Sequence, residues 1–185
     1  MEKLVEGGDI CKFVVNLGMH CAADTFGHHA PRNKGPEDPY IQMIGGEFVS
    51  HGPQQVVTIE VVDPKFPGMA HGFGSLGQSF TINDEWYALK NMPEDLHVIM
   101  VQVTKGMRSG PVREYNRPNY PMTWARNHGK GRVFYTSMGH REDVWENPMY
   151  QGLLLGALGW ATGRVDAEIE PNIRKVTPEY NKLHK

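Results

Sequence analysis

Two histidines follow apolar segments, in places where a β-sheet would bring them to its edge. His20 comes directly after residues 12–19, an apolar run of buried-strand length, and His140 comes after 132–138, a second run of this kind. Ligands bind at the carboxyl ends of strands in open α/β sheets, and an imidazole there can give or take a proton near neutral pH. These positions predict a shared pocket with an acid/base pair. The alternative is that each imidazole only bonds nearby backbone.

A third histidine and a carboxylate–aromatic segment could complete such a pocket. His51 lies in segment 45–52, where glycines on both sides let the backbone fold tightly, although a solvent-facing loop histidine has the same pattern. Residues 84–87, Asp-Glu-Trp-Tyr, put carboxylates beside aromatic rings, a combination that suits sugar hydroxyls and sugar C–H faces. A strand end with a buried tryptophan is the alternative here. The predicted catalytic residues are His20, His51, Glu85 and His140, and the predicted substrate-binding residues are Asp24, Asp84, Trp86, Trp124 and Trp145.

The histidines also suggest a metal site. Imidazoles bind zinc and other divalent ions, so His20, His51 and His140 are candidate ligands. The chain has no HxH or HExxH spacing that would support this locally. A divalent ion such as zinc is therefore the one cofactor that the residues suggest. The remaining histidines are expected to be mostly at the surface: His28, His29, His71, His97, His128 and His184.

The chain has two cysteines, Cys11 and Cys21. Both fall inside one apolar segment, which predicts reduced core thiols and no disulfide framework. Neighbouring residues of a strand point to opposite faces, so Cys21 is not expected to form a nucleophilic pair with His20.

The elements that must position these residues can be predicted from hydrophobic periodicity. Strands are expected at 12–19, 55–62, 80–82, 96–103, 122–126 and 132–138, the last two joined by a five-residue hairpin connection. A helical turn at 40–44 ends at a glycine pair, and a core helix at 149–162 buries three leucines. Asn147 is its expected N-cap, Pro148 its first residue and Gly163 its stop. This pattern is typical of an α/β fold.

The length and net charge of the chain exclude some classes of function. A chain of 185 residues fits one domain, and 19 basic against 21 acidic residues leave a net charge of −2, without the basic footprint of a nucleic-acid-binding protein. No apolar stretch approaches the roughly 18 residues of a membrane span, and the N-terminus has no secretory apolar region. We therefore expect a cytoplasmic protein that binds neither nucleic acid nor membrane.

Segment 131–148, running into 153–161, resembles the C-terminal signature of the ThuA-like (trehalose utilisation) family. Segments 18–24, 44–51 and 61–64, followed by Asp84 and Glu85, resemble further motifs of that family in the same order. The resemblance implies a flavodoxin-like, class I glutamine amidotransferase-like α/β sheet with flanking helices, and a role around carbohydrate metabolism. Amidotransferase relatives carry a cysteine after the strand that here precedes His20, so glutaminase activity is not expected.

Members of the family usually begin with one or two βα units that this chain lacks. The resemblance therefore implies an N-terminally incomplete domain over 1–163, and it leaves open whether the native N-terminus is present. The segment 164–185 has no hydrophobic period and many charges, so an irregular surface tail is expected there. Strand 12–19 is continuously apolar and should be interior and covered on both faces. Without preceding units its edge would be open for pairing, so we expect a homo-oligomer that buries this edge or the face of helix 149–162. Coverage by loop 24–39 is the alternative.

Together these expectations favour an enzyme that performs acid/base chemistry on a small-molecule sugar or keto-sugar with its strand-end histidines. His20 and His140 would be the acid/base pair, and Glu85 an orienting or basic carboxylate. The alternatives are a non-catalytic carbohydrate-binding or accessory subunit, in which the histidines only bond hydroxyl groups, and a degenerate copy without function.

Overall fold

The computed structural model describes residues 15–26 and 35–183. Within these residues, six strands form a sheet in the order β1-β8-β7-β6-β3-β4, and two more form a separate antiparallel pair, β2-β5. β1 runs parallel to β8, and the other pairs in the large sheet are antiparallel. The strands are β1 Val15–Met19, β2 Glu47–His51, β3 Gln55–Val61, β4 Ser79–Asp84, β5 Tyr87–Lys90, β6 His97–Gln102, β7 Tyr120–His128 and β8 Gly131–Thr136.

Helices flank this sheet, which confirms the α/β fold class. They are α1 Pro39–Ile44, α2 Glu142–Trp145, α3 Pro148–Ala161 and α4 Ile173–Val176. Successive residues of β8 point to opposite faces, so Phe134 packs in the core cluster shared with α3 and Tyr135 packs in a second cluster shared with α1 and α4. The sheet is therefore covered on both faces. None of the helices in the described ranges is long and apolar enough to cross a membrane.

Helix α3 begins and ends where its sequence signals predict. The Asn147 side chain accepts a hydrogen bond from the Met149 N–H at 2.9 Å, Pro148 is the first helical residue, and Gly163 follows the helix with φ at 74°. The predicted burial of three leucines is wrong. Leu153 is buried, but Leu158 is 46% exposed, because the inward stripe continues through Ala157 and Trp160 and leaves the neighbouring helix face outside.

Two further expectations about the chain path are corrected, and a third is confirmed. Segment 45–52 is not a loop around His51, because most of it forms β2 and pairs with β5. The hairpin connection is shorter than the predicted five residues, since His128 pairs with Gly131 and leaves two residues for the turn. The glycine stop predicted after 40–44 is confirmed, with Gly45 left-handed at φ 85°.

The tail after residue 163 was expected to be irregular and to run over the surface, yet it docks on the sheet. The Asn172 side chain accepts from the N–H of Val98 and donates to its carbonyl, as a neighbouring strand would. Arg117 donates to the carbonyls of Leu89 and Tyr180, which ties the tail to β5. Hydrogen bonds to residues far away in the chain therefore hold this tail on the sheet, although its sequence has no hydrophobic periodicity.

β1 does not have the interior position predicted for it. Among the described residues it pairs with β8 alone, and Val15 is 40% exposed. Residues 12–14 of the predicted strand lie outside the described residues, as do Cys11 and most of loop 24–39. The expected association through this edge stays a prediction.

Candidate functional site

One carboxylate, that of Glu85, stands at the centre of the site. It lies in the two-residue connection between β4 and β5, with its side chain 13% exposed. Its Oε1 is 3.6 Å from His20 Nε2 and 3.5 Å from His140 Nδ1, and its Oε2 is 3.2 Å from His51 Nδ1. The structure thus brings together the four residues that the sequence predicts as catalytic, while their catalytic role stays a prediction.

His20 is held in a strained conformation at the end of β1. A 3₁₀ turn, His20–Ala23, follows the strand, and His20 has a φ of 38°, which non-glycine residues rarely adopt. Tyr135 donates its hydroxyl to the His20 carbonyl at 3.0 Å. Such strain persists only where the surroundings impose it, and it concentrates at functional sites.

The His20 imidazole is buried and neutral. Burial, then the nearby His140, lower its pKa to about 4, and a hydrogen bond with the Glu85 backbone opposes this only in part. Among the described residues, its Nε2 has no hydrogen-bond partner. The ring packs 4.1 Å from the Tyr87 ring and 5.1 Å from the His140 ring, measured between centroids. His20 therefore presents an uncharged, unpaired nitrogen toward the Glu85 carboxylate.

His51 is the more accessible partner of Glu85. Its side chain is 44% exposed, and its Nδ1 lies 3.0 Å from the Gly52 carbonyl oxygen, which can only accept. Nδ1 therefore carries the proton in the neutral ring, and Nε2 is left as the acceptor. Glu85 Oε2 lies 3.2 Å from the same Nδ1, and the carboxylate would stabilise the imidazolium if Nε2 took up a proton.

Asp84, predicted to bind substrate, instead supports the backbone of the site from the interior of the protein. It is fully buried, and its Oδ1 accepts from the N–H groups of Glu85 and Arg141 while its Oδ2 accepts from the N–H of Gly139. Burial raises the pKa of Asp84, and these three donors offset only part of that effect. The Asp84 carboxylate therefore holds the backbone of Gly139 and Arg141, on either side of His140, and also the backbone of Glu85. The prediction of a substrate contact is wrong because no oxygen of Asp84 is left facing outward.

Two tyrosines that the sequence analysis did not select also shape the site. The Tyr115 hydroxyl accepts from the Gly52 N–H at 2.8 Å and donates to the Trp86 carbonyl, so it links the residue after His51 to the residue after Glu85. Tyr115 lies in a segment without periodicity, which offers no local signal. Tyr87, whose ring packs on His20, could have been found, because alternation along an extended chain puts it on the same side as Glu85.

Two of the three predicted tryptophan platforms are wrong. Trp86 and Trp124 are fully buried, and their indole N–H groups donate to the carbonyls of Gln55 and Ile44. Alternation turns both rings into the core. Trp145 is 42% exposed and donates to the Gly139 carbonyl at 2.8 Å, directly beside His140 in the chain. It stays a candidate for stacking against a sugar.

The turn after β1 decides two further expectations. Asp24 is half-buried near Tyr87, whose pKa is raised by burial and then by the Asp24 carboxylate. Within the described ranges, Asp24 Oδ1 has no hydrogen-bond partner. It stays a candidate substrate contact. Cys21 was expected to be a core thiol, and it is exposed. The 3₁₀ turn directs His20 inward and leaves Cys21 on the outside.

The remaining histidines are partly as expected. His71 is exposed and His128 is half-buried, whereas His28, His29 and His184 lie outside the described residues. His97 is buried, which contradicts the expectation of a surface position. Its ring nitrogens contact the Glu170 carbonyl at 2.7 Å and the Asp63 carboxylate at 2.9 Å.

The possible metal ligands differ from the predicted set by one residue. In the described part of the chain, one donor atom from each of His20, Glu85 and His140 lies within 4.8 Å of the others. Glu85 thus takes the place predicted for His51, which contacts the far oxygen of the same carboxylate. The set offers two imidazole nitrogens and one carboxylate oxygen.

A comparison with models of protein families identifies the family of this chain. The sequence profile of a family described as ThuA, trehalose utilisation, matches residues 14–161. A crystal structure of a protein described as ThuA-like, from Parabacteroides merdae, is 25% identical with a TM-score of 0.44. The similarity covers 68% of this chain and 44% of that protein, so the chain spans less than half the length of this relative. A search of curated proteins found no match.

Proposed function

The chain belongs to the ThuA, trehalose utilisation, family, and from this premise we propose that it is an enzyme performing acid/base chemistry on a sugar or keto-sugar. Membership of the family indicates a role in carbohydrate metabolism. The observation that supports the finer proposal is the convergence of three imidazoles on the two oxygens of Glu85.

The three imidazoles differ in exposure, which suggests different roles. His51 and His140 expose 44% and 38% of their side chains, whereas that of His20 is 7% exposed. A proton carrier has to reach the substrate, and His51 offers an acceptor Nε2 whose opposite nitrogen faces a carboxylate. A histidine oriented by a carboxylate is the usual arrangement of a general base, since the carboxylate holds the tautomer and stabilises the imidazolium. We assign His51 as the base and Glu85 as the residue that orients it.

The surroundings of the cluster suit a hydroxylated substrate. Asp24 is half-buried and has a buried carboxylate oxygen without a hydrogen-bond partner in the described ranges, and Trp145 has a half-exposed ring that contacts Gly139, the residue before His140. Acceptors for hydroxyl groups together with a ring for C–H faces are what a sugar requires. Sugar binding by Asp24 and Trp145 is part of the proposal.

The test is product analysis with a panel of disaccharides and their 3-keto forms. His51→Ala should lower turnover by about 10²–10⁴-fold, the usual contribution of a general base. His128→Ala, at the tip of the β7–β8 hairpin, is the matched control and should leave turnover unchanged. His20→Ala should retain part of the substrate affinity, measured by calorimetry.

Two outcomes would contradict the proposal. Full turnover by His51→Ala would remove His51 from the chemistry. Sugar binding without conversion of any substrate by the wild-type chain would instead favour a carbohydrate-binding module.

A further inference from the structure

We propose that His20, Glu85 and His140 bind one divalent transition-metal ion, with zinc as the fitting ion, through His20 Nε2, Glu85 Oε1 and His140 Nδ1. This inference rests on the proposed function only in that it concerns the same cluster of histidines around Glu85 and names an ion that would take part in the chemistry at that cluster. The binding of the ion can be measured without any sugar.

The distances between the donor atoms fit such an ion. Zinc bonds of about 2.0–2.2 Å in tetrahedral geometry separate the ligand atoms by about 3.3–3.6 Å. Glu85 Oε1 lies 3.6 Å from His20 Nε2 and 3.5 Å from His140 Nδ1. Both distances exceed the roughly 2.7–3.2 Å of an N–H···O hydrogen bond and match the spacing of two ligands of one tetrahedral ion. The donor atoms of all three residues lie within 4.8 Å of one another, close enough to contact the same ion.

The buried nitrogen of His20 is the second, independent observation. The His20 side chain is 7% exposed, and its Nε2 has no hydrogen-bond partner in the described residues although it faces a carboxylate. A buried polar atom without a partner is destabilising, and native structures rarely retain one without a reason. A cation between Nε2 and the Glu85 carboxylate would satisfy both groups at once.

The donor types select the class of ion. Magnesium and calcium prefer oxygen ligands, whereas two imidazoles and one carboxylate are a common set for zinc at catalytic sites. Three protein ligands leave a fourth position for water or a substrate oxygen. The 38% exposure of the His140 side chain shows that one side of the cluster is open to solvent, where that position would lie.

The surrounding groups are arranged as an outer shell. Glu85 would bind the ion through Oε1 while its Oε2 faces His51, and Asp84 fixes the backbone on both sides of His140. Outer groups that orient the ligands usually contribute about 10–100-fold to metal affinity. His51 is thus outside the ligand set and remains available as the base.

The experiment measures zinc and cobalt binding by the full chain after dialysis against a chelator. Calorimetry and elemental analysis should give one zinc ion per chain, and Co²⁺ should give the intense visible absorption of a tetrahedral site. His20→Ala, Glu85→Gln and His140→Ala should each lose stoichiometric binding and the cobalt spectrum. His51→Ala and the control His128→Ala should still bind one ion.

Since His20 is buried, circular dichroism must show that each variant is folded. His140→Ala, at a more exposed position, keeps the test decisive if His20→Ala does not fold. A wild-type chain that binds no stoichiometric zinc would overturn the inference, as would ligand variants that bind zinc like the wild type. Sugar turnover by a wild-type chain that binds no stoichiometric zinc would overturn it and leave the proposed function standing. Stoichiometric zinc without sugar turnover would support it and count against the proposed function.

Discussion

Replacing Asp84 with asparagine tests whether this buried carboxylate positions the site. Its Oδ1 receives two backbone N–H groups and its Oδ2 receives that of Gly139 at 2.7 Å. With the amide oxygen of asparagine in place of Oδ1, the new NH₂ group faces the Gly139 N–H, and two buried donors meet. The flipped amide would lose two hydrogen bonds and is the worse choice.

The magnitude follows from these contacts. A buried donor left without an acceptor costs about 1–3 kcal/mol. The burial that raises the pKa of Asp84 shows that its charge is partly unfavourable there, and asparagine removes that charge. We therefore expect the free energy of unfolding to fall by about 1–2 kcal/mol, in the lower part of the range. For a chain of this length that lowers Tm by roughly 2–8 °C.

A role in positioning has a second consequence, because Asp84 itself touches no substrate. Its loss should displace His140, and a displacement of about 1 Å can cost about 10²-fold in rate. We expect Asp84→Asn to lower kcat by about 10–100-fold at 25 °C, where the variant is folded, with a smaller change in KM. Thermal unfolding and steady-state kinetics measure the two effects separately.

Asp143→Asn is the matched control. Asp143 lies in α2, two residues after Arg141, but its side chain is 58% exposed and pairs with the Arg141 side chain at the surface. Such pairs contribute little, so Tm and kcat should both be unchanged. If Asp84→Asn unfolds at the wild-type temperature, the hydrogen-bond argument is refuted. If it loses stability but keeps kcat, Asp84 stabilises the fold without positioning His140.

Three other predictions concern stability and assembly. Gly156→Ala should lower the free energy of unfolding by about 2 kcal/mol, because the new Cβ would lie 2.2 Å from the Pro67 carbonyl carbon. Gly159→Ala in the same helix should instead raise the free energy of unfolding by up to about 1 kcal/mol. Chemical denaturation that finds equal effects for the two variants would contradict this. Burial alone would lower the pKa of His97, but the Asp63 carboxylate and the Glu170 carbonyl outweigh it and raise that pKa, while His97 and neighbouring backbone N–H groups lower the pKa of Asp63 against the effect of burial. The pair should therefore stabilise the folded state fully between pH 3.8 and 6.5, and less as pH rises through the folded pKa of His97 or falls through that of Asp63. The free energy of unfolding of His97→Gln should differ most from that of the wild type in this window. A difference that does not depend on pH would refute the pairing. Analytical ultracentrifugation should show a homodimer or larger assembly that buries the edge of β1 or the outer face of α3, and a monomer that binds no hydrophobic dye would decide against it.

Local signals in the sequence were sufficient to place individual elements. Asn147, Pro148 and Gly163 bound helix α3 because capping and termination depend on a few neighbouring residues. In the same way, His20 and His140 could be assigned to strand ends. These histidines converge with Glu85 because β1, β8 and β4 run in the same direction and end at the same edge of the sheet.

The sequence alone could not decide which side chains support the site and which face it. Asp84 looks like a substrate contact until residues 55 and 57 positions away bring their N–H groups to its oxygens. Tyr115 joins Gly52 to Trp86 across a comparable distance in the chain. The orientation of a side chain and the identity of its hydrogen-bond partners depend on long-range packing, which no local pattern encodes. For this reason chemistry-bearing residues could be found from the sequence, while their division into ligands, base and supports required the tertiary structure.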